Sequence, residues 1–278
     1  MQLSNRTAFV TGAGSGLGRE IALAFAREGA RVMATDVNAG SATETAAACA
    51  AATPGAESCR CDVSDSRSVK QAFAHMDEAF GPLDVLVNNA GIIHTDPAYV
   101  EHVSRTQTAQ VVELMTQGRV STHWGAIERL SDEMFDRMLR VHLYGTFYCT
   151  REALPRMRES GRGGRIINMG SIMGTASLPG APDYCAAKGA ILAFTRATAR
   201  EAASYGVLVN AIAPGFIETP LLAPISAESK RLIAAQTPLG RLGEPADVAA
   251  VAVFLAGPGG SFLTGQTISP NGGIYMSQ

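Results

Sequence analysis

The segment from Thr7 to Glu28 leaves this chain few folds to choose from. Thr7-Ala8-Phe9-Val10 is a short apolar run with strand character, and it leads into Thr11-Gly12-Ala13-Gly14-Ser15-Gly16-Leu17-Gly18. From Arg19 to Glu28 the spacing turns helical, with Ile21, Ala22, Phe25 and Ala26 as the apolar stripe and Gly29 as the stop. The glycines read Gly12-xxx-Gly16-x-Gly18 and not Gly-x-Gly-x-x-Gly, because Leu17 and Arg19 stand where that pattern needs glycine. The physics is shared. Glycine permits positive φ and a close backbone approach, and the free N–H groups of a helix N-terminus suit a pyrophosphate. An ordinary glycine-rich turn is the plain alternative, and the flanking strand and helix weigh against it.

A second strand, Ala30 to Thr35, ends at Asp36, eighteen residues past Gly18 and close to the ~20-residue offset of an acid that binds the adenosine ribose. A carboxylate there accepts from both ribose hydroxyls and repels a 2′-phosphate. Ser15 and Val37 beside it are uncharged, so NAD is expected and NADP is disfavoured. The competing role for Asp36 is to cap the helix that begins near Asn38. Strands are expected near 7–11, 30–36, 57–63, 83–89, 164–170, 207–213 and 266–270. Helices are expected near 16–28, 39–52, 66–80, 131–158, 184–205 and 245–256. That alternation predicts an α/β fold, a Rossmann-type doubly wound parallel sheet of about seven strands with helices on both faces. At 278 residues and 46% hydrophobic, the chain can bury its core as a single domain over 1–278.

Tyr184 and Lys188 stand four apart in Tyr-Cys-Ala-Ala-Lys, thirteen residues after Ser171. Positions i and i+4 share a helix face. A lone phenol titrates near ~10, and a fixed cation beside it favours the phenolate. Alone the pair is weak, since the spacing arises by chance on helix surfaces.

Together with the glycine loop, these residues resemble the short-chain dehydrogenase/reductase family over nearly the whole chain. By that resemblance Asp62-Val63 contacts the adenine, and Asn88-Asn89-Ala90-Gly91 stabilises the sheet and lines the cofactor. Pro214-Gly215 with Ile217 and Thr219 is similar to the segment that meets the nicotinamide amide. Thr264-Gly265-Gln266 and Gly272-Gly273 look like the C-terminal strand and turn. The implied cofactor site is Gly12, Ser15, Gly16, Leu17, Gly18, Asp36, Asp62, Val63, Asn89, Ala90, Gly91, Tyr184, Lys188, Pro214, Gly215, Ile217 and Thr219. The implied reaction is NAD-dependent hydride transfer between a secondary alcohol and a ketone. Tyr184 is then the general acid/base, Lys188 its electrostatic partner and a ligand of the nicotinamide ribose, and Ser171 the group that orients the substrate oxygen. Other readings are an NADPH-type 3-oxoacyl carrier-protein reductase, a non-catalytic NAD-binding regulator, and a lyase or epimerase. Asp36 with neutral Val37 argues against the first, and the intact Ser171, Tyr184 and Lys188 argue against the second.

Two stretches depart from the family. The crossing from Ile92 to Arg129 is long for a compact domain, with a short helix expected over 105–117. It reads as a surface insertion or lid. Its His94, His102 and His123 lack tight ligand spacing, so no metal is expected. Val141-His142-Leu143 falls where the family commonly has Val-Asn-Leu, whose Asn holds a relay water. His142 either does similar work as a fourth catalytic residue or is a packed core histidine.

Met173, Leu178, Phe216, Leu221, Leu222 and Ile225 suggest a small apolar alcohol or ketone as substrate. The segment 216–238, with Pro220, Pro224 and Pro238, is read as a mobile lid or a structural cap. A net charge of −2 and a pI near 6.2 argue against nucleic acid. No apolar run nears the ~18 residues of a membrane span. Met1 to Arg6 run straight into the first strand, so no leader is expected. The five cysteines form no Cys-x-x-Cys pair, which suits a reduced cytoplasmic protein, and Cys185 is read as packing. Relatives suggest a homotetramer joined through helices 131–158 and 184–205.

Overall fold

A computed structural model describes residues 1–53, 55–223 and 225–276; Pro224 of the expected lid lies outside them. Seven parallel strands make one sheet: β1 Thr7–Thr11, β2 Arg31–Asp36, β3 Ala56–Arg60, β4 Val85–Asn88, β5 Gly164–Met169, β6 Val207–Ile212 and β7 Thr267–Ile268. Their order is β3-β2-β1-β4-β5-β6-β7. The chain leaves β1 towards β2 on one side and returns to β4 on the other, so the order reverses there and opens a crevice at the strands' carboxyl ends.

The helices are α1 Gly16–Arg27, α2 Ala39–Ala50, α3 Ser66–Phe80, α4 Pro97–Gln117, α5 Asp132–Leu139, α6 Gly145–Ser160, α7 Pro182–Ala202, α8 Ala227–Gln236 and α9 Pro245–Ala256. Successive strand residues point to opposite faces. In β1, Ala8 and Val10 enter the core under α1 and α9, whereas Phe9 faces α3 and stacks on Phe73 at 4.4 Å between centroids. Both faces are covered, which is why the strands read as nearly unbroken apolar runs.

Buried polar groups tie the carboxyl end of the sheet together. Asn88 Nδ2 donates to Asn168 Oδ1 at 2.8 Å and to Thr150 Oγ1 at 3.1 Å, and Asn168 Nδ2 donates to Thr195 Oγ1 at 2.9 Å. The chain thus links β4, β5, α6 and α7. At the other end buried Asp84 accepts from the Thr7 amide and meets Arg6 and Arg162.

Several boundaries differ from the sequence reading. The expected helix over 131–158 is one helical run that changes pitch, with a π turn over Arg140–Tyr144 between α5 and α6. The short helix expected over 105–117 begins eight residues earlier, where the Asp96 side chain accepts from Tyr99 N and Pro97 takes the first helical position. The lid segment carries α8, capped by Ser226. β3 stops at Arg60 and β7 spans two residues, so Asp62-Val63 and Gln266 lie outside the strands, in loops.

Asn168→Leu leaves a buried amide hydrogen of Asn88 and the Thr195 hydroxyl short of partners. It is expected to cost about 1–3 kcal/mol, read as a lower denaturant midpoint with an unchanged slope.

Candidate active site

The glycine loop closes over the end of β1 with little room to spare. Gly12 has φ +61° and Gly16 has φ +53°. A Cβ on Gly18 would lie 2.1 Å from the Gly12 carbonyl oxygen and 2.4 Å from Asn89 Nδ2. Asn89 Nδ2 donates to the carbonyls of Thr11 and Gly12, while Thr11 Oγ1 accepts from the amides of Asn89 and Ala90. The loop and the end of β4 are thereby one rigid piece. Thr11 did not stand out in the sequence, because a strand threonine signals nothing before β1 and β4 are known to be neighbours.

Ser15 caps α1 without a side-chain hydrogen bond. The N–H groups of Gly16, Leu17 and Gly18 in the first turn therefore have no acceptor among the described residues. Thr219 lies across from them, 3.5 Å from where a Gly16 Cβ would be. Asp36 Oδ2 accepts from Gly14 N at 3.0 Å and Oδ1 from Asn38 N at 2.9 Å. The cap of α2 is Asn38, which accepts from Ser41 N, so Asp36 is not the capping residue. A crevice of about 410 Å³ runs past Gly12, Asp36, Asp62, Val63, Ala90 and Gly91. Free helix-start amides, a ribose-height carboxylate and a cradle that any Cβ would fill together suit a dinucleotide.

Pro214 and Gly215 follow β6. The Pro214 carbonyl accepts from Ile172 N, and a Cβ on Gly215 would lie 2.8 Å from Asn271 Cα. Ile217 pairs with Gly243 in an isolated parallel bridge. This fastens the root of the 216–238 segment.

The structure brings Ser171, Tyr184, Lys188 and His142 together. Ser171 follows β5, buried, its Oγ accepting from Met173 N. Tyr184 and Lys188 lie on the first turns of α7. Lys188 Nζ is 5.6 Å from the Tyr184 ring centroid and donates to the Met169 carbonyl at 2.7 Å. Burial pushes the Tyr184 phenol up to about 12; the Ser171 hydroxyl offsets part of that rise and Cys185 adds to it. Burial also takes Lys188 down to about 7. The sequence reading had Lys188 hold the phenol acidic. In the free protein it does not, because desolvation opposes both charges and the ammonium is engaged with a carbonyl.

His142 sits in the π turn, 2% exposed, its ring edge-on to Tyr184 at 5.3 Å. Its Nε2 lies 2.9 Å from the Ile92 carbonyl oxygen and 3.1 Å from the Ile92 amide nitrogen. Its Nδ1 is buried without a partner among the described residues. Gly91 makes room for the ring, since a Cβ there would be 2.6 Å from Cε1. Burial, then Lys188, lower His142 to about 3, against a smaller upward pull from Ile92. The imidazole is neutral at physiological pH.

The histidines of the insertion are spread apart in their bonding. His94 pairs with Asp183, and His102 Nε2 bonds the Trp124 carbonyl at 2.6 Å. The His94–Asp183 contact was not foreseen, because 89 residues separate its members.

Fold and site together define a Rossmann-type dinucleotide-dependent oxidoreductase. The family described as short chain dehydrogenase matches residues 6–130, and that described as enoyl-(acyl carrier protein) reductase matches residues 116–275. An uncharacterized oxidoreductase of Bacillus subtilis is 37% identical over 98% of this chain and 92% of its own. A 3-oxoacyl-(acyl-carrier-protein) reductase of Vibrio cholerae is 34% identical, covering 99% of this chain and 100% of that one. The crystal structure of a short-chain type dehydrogenase/reductase from Mycobacterium marinum superposes with a TM-score of 0.82 at 28% identity, over 99% and 98% of the two chains. The chain belongs to the short-chain dehydrogenase/reductase family, oxidoreductases that bind a nicotinamide cofactor.

The buried neutral His142 has a consequence for stability. Its value falls from an ordinary 6.5 to about 3 on folding. Between those pH values the unfolded chain binds a proton that the folded one refuses, so stability present above pH 6.5 is lost as pH falls towards 3. His142→Asn is expected to lose less stability across that window than the wild type, read from denaturant midpoints at stepped pH.

Proposed function

We propose that the protein interconverts a secondary alcohol and a ketone with NAD, Tyr184 carrying the proton. The observation behind this is the convergence of Ser171, Tyr184 and Lys188 beside His142, whose ring abuts Gly91 and Ile92 of the crevice that holds Asp36. A bound nicotinamide supplies the hydride acceptor or donor and, when oxidised, a fixed positive charge. Positive charge beside a buried phenol favours the phenolate. In oxidation Tyr184 then takes the alcohol proton as general base, and in reduction it returns the proton as acid. Ser171 donates to the substrate oxygen and fixes its direction. Lys188 adds charge beside the phenol and holds the nicotinamide ribose.

His142 completes the proton path. A histidine that served packing alone would have both ring nitrogens satisfied, and the buried, unpartnered Nδ1 supports a role in relaying protons near Lys188. Asp36, held by two backbone amides with uncharged Val37 beside it, supports NAD over NADP. Gly12, Ser15, Gly16, Leu17, Gly18, Asp62, Val63, Asn89, Ala90, Gly91, Pro214, Gly215, Ile217 and Thr219 form the remaining cofactor contacts. Met173, Leu178, Phe216, Leu221 and Leu222 give the substrate crevice an apolar lining, closed by the 216–238 segment. The protein acts in the cytoplasm as a homotetramer. Half-exposed Tyr144 and Phe147, the latter edge-on to Phe194 of α7, support pairing through the α5–α6 run and α7.

A panel of secondary alcohols assayed with each dinucleotide tests this reading. Wild type is expected to favour NAD in kcat/KM, and Tyr184→Phe to lower kcat by about 10²–10⁴-fold while retaining NAD affinity. Near-normal kcat in Tyr184→Phe, or equal kcat/KM with NADP, contradicts it.

A further inference from the structure

The residue before Tyr184 is a carboxylate sealed from solvent. Asp183 is 0% exposed, and its Oδ1 accepts from the Tyr184 amide at 2.8 Å. Buried carboxylates persist only when paired, and the partner comes from the insertion. His94 Nε2 lies 2.8 Å from Asp183 Oδ2 and 3.0 Å from Oδ1. One ring nitrogen facing both carboxylate oxygens must carry a hydrogen, so Asp183 fixes the ring's tautomer as well as its direction. The other nitrogen, Nδ1, has no protein partner among the described residues, and the side chain keeps 13% of its surface open.

The insertion is braced to hold that ring in place. The Tyr99 ring packs on His94 at 4.6 Å, and its hydroxyl donates to the Gly180 carbonyl at 3.1 Å. Gly180 has φ +93°, and a Cβ there would meet Val103 at 2.9 Å and Trp124 at 3.4 Å. The start of α4 is thus clamped on the segment that runs from Ser171 to Tyr184. His94 lies two residues beyond the Ile92 backbone that His142 contacts, and Asp183 immediately precedes Tyr184, so the couple borders the catalytic cluster.

We propose that His94, oriented by Asp183, is a specificity-determining residue that hydrogen-bonds a second, neutral oxygen of the substrate, carried a few bonds from the reacting carbon. This rests on the alcohol–ketone reading above. The class is a hydroxy or oxo compound bearing an ester, thioester or amide carbonyl, or a further hydroxyl. Asp183 directly behind the ring cancels a charge on His94, so the couple favours a neutral acceptor over a carboxylate. A site built to hydrogen-bond one substrate group discriminates strongly against analogues that lack it.

Three substrates of matched chain length decide the matter: a 3-hydroxy ester, the corresponding 3-hydroxy acid and a plain secondary alcohol. In His94→Phe, kcat/KM for the ester is expected to fall at least about tenfold more than for the plain alcohol. Asp183→Asn, which keeps the volume but removes the orienting charge, is expected to shift the same ratio in the same direction by less. It decides the question if His94→Phe does not fold. An equal fall for all three substrates makes the couple a latch for the insertion and overturns the inference. A fall confined to the acid overturns the neutral-acceptor class. Absence of turnover of any secondary alcohol by the wild type overturns the alcohol–ketone reading and this inference with it, whereas turnover with an unchanged ratio overturns this inference alone.

Discussion

Desolvation of a phenol and an ammonium on one helix face governs this site. Lys188 is buried and Tyr184 half-buried, and both are driven away from their charged forms, to about 7 and about 12. Without bound charge the phenol therefore stays protonated, and the lysine holds its proton less firmly than an exposed one. The surroundings follow from that. Lys188 needs a carbonyl to satisfy its hydrogens and finds it at Met169. His142 must stay neutral beside Lys188, and does. The start of α7 must not move, and Asp183 and Gly180 hold it, while the Asn168–Thr195 bond fastens the helix farther along. In this account reactivity arrives with the dinucleotide, whose charge is brought to the pair and not stored there.

The fold sets that pair beside His142, which abuts a crevice whose glycine loop and acid were readable at once. Strand, glycine loop, helix and a second strand ending in an acid are local patterns. Local patterns survive in sequence because backbone conformation and helix periodicity act over a few residues. Asp36 is the clearest instance: the sequence put it at the end of the second strand, and the structure finds it there and gives its cap alternative to Asn38. The Tyr184–Lys188 spacing was legible for the same reason.

What stayed hidden is what needs two distant segments or an absent signal. The π turn at Arg140–Tyr144 has no residue signature, and only His142 in place of asparagine hinted that the local geometry matters. Helix α4 buries little more than Tyr99 and Thr106, so it lacks the apolar stripe by which helices are found. Its start was nonetheless written in Asp96-Pro97. β7 is too short for any period to show. Thr11, which binds the end of β4, and the His94–Asp183 couple depend on tertiary neighbours that composition cannot supply. Protonation was the largest misreading: spacing showed which groups meet, but burial decides what charge they carry.

The most direct test is the ultraviolet difference spectrum of the Tyr184 phenolate, taken as wild type minus Tyr184→Phe, with and without oxidised NAD. The account predicts no phenolate in the free protein below pH ~10, where an ordinary phenol stays protonated. It predicts a phenolate signal well below that pH once NAD is bound, and a weaker one in Lys188→Met. A Tyr184 titration that NAD leaves unmoved would contradict it.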